Sequence, residues 1–244
     1  MEQQKQPRMI TKVRHELHRR ELTVDTVTPL GEHFVSVTFS GDSLANFVSL
    51  GFDDHVKFFL DDTTGEPVRR DYTPRHYDTQ SRKLTLEFAL HGEGAASDWA
   101  RQAAPGQHVT IGGPKGSRIV PPDYDWHLLV ADATGMPAIR RRLEELPAGT
   151  RAIVVALLPD GDRILPETQA QLETHWAADA DALIAALRDV TLPAGDGYTW
   201  GGGEAAMMKR VRDVLVDEKS LPKDAMRVSA YWKQGAAEFH EDIE

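Results

Sequence analysis

Arg70, Tyr72 and Thr73 stand close together in the segment Arg70-Asp71-Tyr72-Thr73-Pro74-Arg75. A guanidinium forms paired, charge-assisted hydrogen bonds to phosphate. A tyrosine ring can lie against a flat heteroaromatic system, and a threonine hydroxyl can reach a ring nitrogen. A strand end carrying these three side chains suits a flavin; it equally suits an ordinary strand with an exposed ion pair. A second segment is His91-Gly92-Glu93-Gly94-Ala95-Ala96-Ser97-Asp98-Trp99-Ala100. Small residues there run directly into a helix start, where free amides and the helix dipole attract phosphate. A capped helix after a hairpin loop has the same composition.

Two further turns follow apolar runs and open helices. One is Asp132-Ala133-Thr134-Gly135-Met136-Pro137, with Thr134 as a hydroxyl donor. The other is Trp200-Gly201-Gly202-Gly203-Glu204, whose glycines let backbone approach a ligand or simply make a tight turn. Ligands of open α/β sheets bind at such turns, beyond the carboxyl ends of the strands.

The elements that position these residues divide the chain in two. Leu22 to Leu30 and His33 to Ser40 alternate apolar and polar side chains, as do shorter runs at His55–Leu60, Leu84–Leu90 and Val109–Ile111. Gly and Pro clusters separate them, and many short strands with turn signals predict a barrel. Ser97–Ala104 reads as a short helix with Ser97 as its N-cap. After Pro121 and Pro122 the period changes. Strands at His127–Ala131, Arg151–Leu158, Gly197–Trp200 and Arg227–Trp232 alternate with helices. One helix face is Met136, Ile139, Leu143 and Leu146; another helix carries Leu183, Ile184 and Leu187; a third carries Met208, Val211 and Leu215. That order predicts a parallel sheet with crossovers. The expected organisation is a β plus α/β chain, with an antiparallel barrel domain over 8–121 and an α/β nucleotide-binding domain over 122–244.

Composition sets the outer limits. The chain has 244 residues, 41% of them hydrophobic, and a formal charge of −10. An acidic chain argues against nucleic acid as the main partner. It leaves room for a local basic pocket, since charges are screened over about 8 Å at physiological ionic strength. No apolar stretch long enough for a membrane helix occurs, so no membrane insertion is expected. Met1 to Arg20 lacks the apolar core of a secretory signal. There is no cysteine, which excludes disulfides, thiolate metal sites and cysteine nucleophiles and makes the cytoplasm the default location. His15 and His18 lack a third ligand nearby, and Asp53-Asp54-His55 reads as a polar start to a strand, so no metal site is expected.

The two phosphate-suited segments, their order, and the following Pro105-Gly106 and Gly113-Pro114-Lys115-Gly116 resemble the siderophore-interacting proteins, FAD-containing ferric-siderophore reductases of the ferredoxin-reductase superfamily. The resemblance covers about Arg14 to Lys233. It looks closest to the branch of NADPH-dependent ferric-chelate reductases, through Gly51-Phe52-Asp53-Asp54-His55-Val56-Lys57, Gly135-Met136-Pro137-Ala138-Ile139-Arg140-Arg141-Arg142 and the closing Ala230-Tyr231-Trp232. It implies that Arg70, Tyr72 and Thr73 hold the flavin mononucleotide half of FAD. Gly94, Ala95, Ala96 and Ser97 would cover the pyrophosphate, with Trp99 packing nearby. His91 would contact the cofactor or merely close a strand. The family often has proline where this chain has Ala95. Thr134 and Gly201, Gly202, Gly203 and Glu204 would face the nicotinamide cofactor, NADPH or NADH, with ferredoxin as a further reductant. Arg163, or Lys209 with Arg210, could hold a 2′-phosphate. Lys57, Lys115 and Lys233 match basic family positions for an anionic ferric siderophore, and Arg75 is a further candidate. The implied activity is ferric-siderophore reduction without a catalytic acid or base. An NAD(P)H:flavin or quinone reductase, and a siderophore-binding protein with little turnover, remain open at this point.

Overall fold

The computed structural model describes residues 8–61, 67–90, 94–236 and 241–243. The N-terminal half is built from nine strands: β1 (Thr11–Arg14), β2 (Arg19–Pro29), β3 (Phe34–Ser40), β4 (Val56–Asp61), β5 (Pro67–Tyr72), β6 (Pro74–Asp78), β7 (Lys83–Ala89), β8 (His108–Gly112) and β9 (Gly116–Ile119). One helix, α1 (Ala95–Arg101), lies between β7 and β8. Seven strands form one antiparallel sheet in the order β5-β4-β8-β2-β3-β7-β6, while β1 and β9 pair as a separate ribbon. Alternation explains the barrel core. Val35, Val37 and Phe39 of β3 point inward, against Leu84, Leu86 and Phe88 of β7 and Phe58 of β4.

The second half has β10 (Trp126–Ala131), α2 (Met136–Glu145), β11 (Arg151–Leu157), β12 (Gln171–Ala177), α3 (Ala180–Asp189), β13 (Gly197–Glu204), α4 (Ala205–Asp213), β14 (Met226–Trp232) and β15 (Glu241–Asp242). Its sheet order is β12-β11-β10-β13-β14-β15, parallel except for β15. Strand order reverses between β10 and β13, which makes their carboxyl ends the topological switch point. Both sheet faces are covered. Leu183, Ile184, Leu187, Met208, Val211 and Leu215 of the α3–α4 side cover one, and Met136, Ile139 and Leu143 of α2 pack on the other.

Several elements depart from expectation. β12 was not foreseen because Gln171, Leu172, Glu173 and Thr174 are all exposed, so this outer strand carries no alternation to detect. β5 and β6 carry Arg69, Arg70, Asp71 and Pro74, which weaken the strand pattern. The short helix starts earlier than predicted. Gly94 is its N-cap, and Ser97 lies inside it, donating its hydroxyl to the Ala89 carbonyl at 3.4 Å. Gly201–Gly203 form the buried end of β13 rather than a loop beyond it. No described helix is long and apolar enough to cross a membrane.

Candidate functional site

β5 ends at Tyr72 and passes through the buried Thr73 into β6. The Tyr72 ring lies 4.2 Å from the Phe88 centroid and 5.8 Å from that of Phe58. Trp99 of α1 closes the same cluster from above, 4.8 Å from Phe58 and 5.3 Å from Phe88. Desolvation pushes the Tyr72 phenol above its ordinary range, against the pull of the Arg70 charge, so it remains a neutral donor. Arg70 spends one Nη on the Arg69 carbonyl at 2.8 Å; among the described residues nothing else engages its guanidinium by hydrogen bond or ion pair. At the start of α1, Gly94 brings no capping side chain, and a Cβ built on it would meet nothing within 4 Å. Among the described residues no side chain caps the first turn of α1. An open guanidinium fork, a neutral phenol on an aromatic wall and an uncapped helix turn together fit a flavin with a phosphate-bearing tail. His91 lies outside the described residues.

The opposite side of the site is the carboxyl edge of the parallel sheet. Asp132, just past β10, accepts from the Thr134 amide at 2.8 Å and the Thr134 hydroxyl at 2.5 Å through Oδ1. Through Oδ2 it accepts from the Glu204 amide at 2.8 Å and the Trp232 indole at 2.9 Å. Glu204 turns its carboxylate back on the Met207 amide at 2.9 Å and caps α4. The three glycines face packed side chains. A Cβ on Gly202 would sit 2.7 Å from the Trp200 ring, and one on Gly203 2.8 Å from Asp132 Oδ2. Their small size is thus used for close packing within the sheet end.

The two sides meet through a buried network. Asp53 of the barrel half accepts from the Trp200 indole at 2.9 Å and from Arg227 at 2.8 Å. The Tyr231 phenol is held protonated by burial first, then by the charges of Asp53, Asp242 and Asp71. Asp71, the neighbour of Tyr72, adds the smallest of these contributions.

The predicted basic residues separate into two groups. Lys57 pairs with Asp71 at 2.8 Å, and it lies in register with Gly112 of β8, three residues before the exposed Lys115. Lys233 is exposed just past β14, two residues beyond Tyr231. Arg75 instead turns into the interface between the halves, 10% exposed, paired with Glu144 at 2.5 Å and Glu87 at 3.1 Å. Of the possible 2′-phosphate ligands, Arg163 pairs with Asp160 at 2.6 Å and lies over the Trp176 ring, while Arg210 pairs with Asp181 at 2.7 Å. Among the described residues no cluster of metal-ligating side chains occurs, and His15 bonds Ser117 at 2.8 Å. Sequence reasoning missed Asp132 and Asp53 as organising groups. The only local signal was their position, one just past a strand and one just before.

Comparison with known proteins agrees with this architecture. Residues 124–235 match the family described as siderophore-interacting protein, and residues 61–118 match the siderophore-interacting FAD-binding domain. The chain is 36% identical to the NADPH-dependent ferric-chelate reductase of Escherichia coli K12, over 93% of this chain and 97% of that protein. It is 27% identical to the ferric vibriobactin reductase ViuB of Vibrio cholerae, over 87% and 89% of the two chains. A siderophore utilization protein from T. fusca superposes with a TM-score of 0.85 at 31% identity, covering 96% of this chain and 98% of that one. Identity at this level across nearly the whole length, on a barrel and sheet arranged in the same order, places the chain in the siderophore-interacting protein family.

Proposed function

We propose that the protein is an FAD-dependent ferric-siderophore reductase that takes electrons from NADPH and delivers them to chelated Fe(III), releasing Fe(II). The observation that carries this reading is the buried junction at which Asp53 of the barrel half accepts from Trp200 of β13 and Arg227 of β14, joining the half that carries Tyr72 and Thr73 to the parallel sheet. FAD held there would supply two-electron acceptance from a nicotinamide and one-electron release to iron. Arg70 and the uncapped turn at Gly94 would hold its phosphates, and Tyr72 and Thr73 its ring system. Thr134 and the β13 end would receive the nucleotide. Lys57, Lys115 and Lys233 would attract the anionic chelate. Hard siderophore oxygens favour Fe(III), so reduction loosens the complex without a protein iron site.

The test is anaerobic. The purified protein should show a flavin spectrum that NADPH bleaches faster than NADH, and a ferric siderophore should restore the colour. No bleaching with either nucleotide would point to a protein reductant such as ferredoxin. Reoxidation by free flavin or quinone but not by a ferric chelate would assign a different acceptor.

Lys57 shares its charge with Asp71, which sharpens a second test. Lys57→Ala with Lys115→Ala should weaken an anionic ferric chelate several-fold, in line with about 0.2–1 kcal/mol per partly exposed pair, and more at low salt. Asp71→Asn should strengthen it by removing a competing carboxylate. Fluorescence quenching at two ionic strengths measures both. Unchanged affinity in the double variant would remove these lysines from the pocket.

A further inference from the structure

An open sheet edge invites another strand, and proteins blunt such edges with proline, charge or shortness. The outer strands of the two large sheets differ in this respect. β5 starts at Pro67 and carries Arg69 and Arg70, β6 starts at Pro74, and β15 has two residues. β12 has none of these devices. It is seven residues long, Gln171–Ala177, without proline, lysine or arginine, and its register with β11 runs unbroken.

The free side of β12 can be read from its backbone. Gln171 donates its N–H to the Thr150 carbonyl, just before β11, at 2.8 Å. Successive residues of a strand turn their backbone groups to opposite sides. Glu173 and His175 therefore also face β11, while Leu172, Thr174 and Trp176 direct N–H and C=O outward. Among the described residues no other strand pairs with those three and no loop backbone bonds to them. Leu172 is 38% exposed. Glu173 and His175 lie on the α3 face, opposite Ile153 and Val155, and bond each other at 2.6 Å.

The strand complements itself in reverse. About a twofold axis at Thr174, antiparallel pairing sets Leu172 against Trp176 of a second copy and Glu173 against His175 of that copy. One face then gains an aliphatic–aromatic pair and the other a pair of opposite polarity, each occurring twice. The outward backbone groups of all three residues meet their counterparts. Moving the axis to Glu173 would set two carboxylates opposite each other, which is destabilising. A surface that matches itself under a twofold axis is what a closed dimer requires.

We propose that the β12 edge docks a second copy of this chain: two β12 strands pair antiparallel about Thr174, joining two six-stranded sheets into one. The edge carries none of the residues assigned above to flavin, nucleotide or chelate.

The experiment is analytical ultracentrifugation of FAD-loaded protein between about 1 and 100 µM, the range for a small interface. The wild type should shift from one chain toward two as concentration rises. Thr174→Pro removes an outward N–H that β11 does not use, a change that edge strands tolerate. It should remain a single chain with unchanged flavin content. Leu172→Lys should weaken association at least about tenfold, and it serves if Thr174→Pro fails to fold. Mixing reads the register. Glu173→Lys and His175→Glu should each weaken the dimer alone and restore it when combined, because the introduced lysine of one copy then faces the introduced glutamate of the other. A mixture that stays dissociated would overturn the pairing, as would a dimer that Thr174→Pro and Leu172→Lys leave intact. A wild type that remains a single chain throughout would also overturn it and leave the edge to a strand of another protein.

Discussion

Arg70 holds its guanidinium against the Arg69 carbonyl with one nitrogen, and among the described residues the rest of the fork has no hydrogen bond or ion pair. Arg70→Ala should therefore weaken FAD binding by about 1.5–3 kcal/mol, the range of a charge-assisted contact. Flavin fluorescence titration measures this, and unchanged affinity would take Arg70 out of the site. His127 makes a second prediction at this scale. It is fully buried between the Tyr124 and Tyr198 rings. Burial first, then the Arg142 charge, lowers its pKa to about 3. The unfolded chain takes up a proton near pH 6.5 and the folded chain does not, so stability is full above that pH. It falls by up to about 1.4 kcal/mol per pH unit on acidification toward the folded pKa. Asp54, whose carboxyl is raised by burial, acts in the opposite sense, so the informative quantity is the difference between proteins. His127→Gln should flatten the fall in Tm between pH 6.5 and 5; parallel slopes would mean that His127 is not the group responsible. Arg70, Tyr72 and Thr73 were legible as candidates because their chemistry is carried by residue type. Asp132 was not, since its four donors come from residues up to 100 positions away.

At the scale of the element, α2 presents the clearest case. Its apolar face, Met136, Ile139 and Leu143, follows the helical period and packs as expected. The three arginines on its other faces are all buried. Arg140 pairs with Glu87 at 2.7 Å and lies over the Phe34 ring at 4.6 Å. Arg141 donates to Ser49 Oγ at 2.8 Å and to the Pro74 carbonyl at 2.9 Å. Arg142 donates to the carbonyls of Val120 at 3.1 Å and Pro121 at 2.8 Å. The acceptors come largely from the barrel half, so this helix docks one half on the other through fixed hydrogen bonds. Arg140→Ala should cost about 3 kcal/mol, the low end for breaking a buried pair, because Arg75 still faces Glu87. Chemical denaturation gives the value; a loss below about 1 kcal/mol, that of an exposed pair, would show that the contact is solvated in solution. α1 taught a smaller lesson. Serine is a good N-cap, but Gly94 begins this helix. The choice was made by where β7 ends and by the Ala89 carbonyl that takes the Ser97 hydroxyl.

Across the whole molecule, the halves share one core. Phe34 and Phe52 of the barrel half pack in the same cluster as Leu129, Met136 and Trp200. Asp53 binds Trp200 and Arg227 from the other side of the junction. His33 and the Glu32 amide clip onto Asp162 at 2.8 Å each. Wild-type protein should unfold in one calorimetric transition. Asp53→Ala leaves Arg227 and the Trp200 indole without that acceptor; it should lower stability by about 3–5 kcal/mol and separate the transition into two. Two transitions already present in the wild type would mean that the halves are not coupled as this interface implies.

Residue order alone determined the class of architecture, since a change from period two to period 3.6 near Pro121 is a local property of side-chain polarity. It also marked the candidates: flavin-suited residue types at one strand end and glycine-bearing turns after two others, with no cysteine in the chain. Tertiary structure decided which polar residues are partners. Arg75 was legible as a cation and became an interface ion pair; Glu204 was legible beside a ligand turn and became a helix cap. Asp53 and Asp132 were ordinary acids in sequence and became the groups that join strand ends. Hydrogen-bond satisfaction of a buried charge depends on atoms brought close only by the fold. No local pattern encodes that proximity.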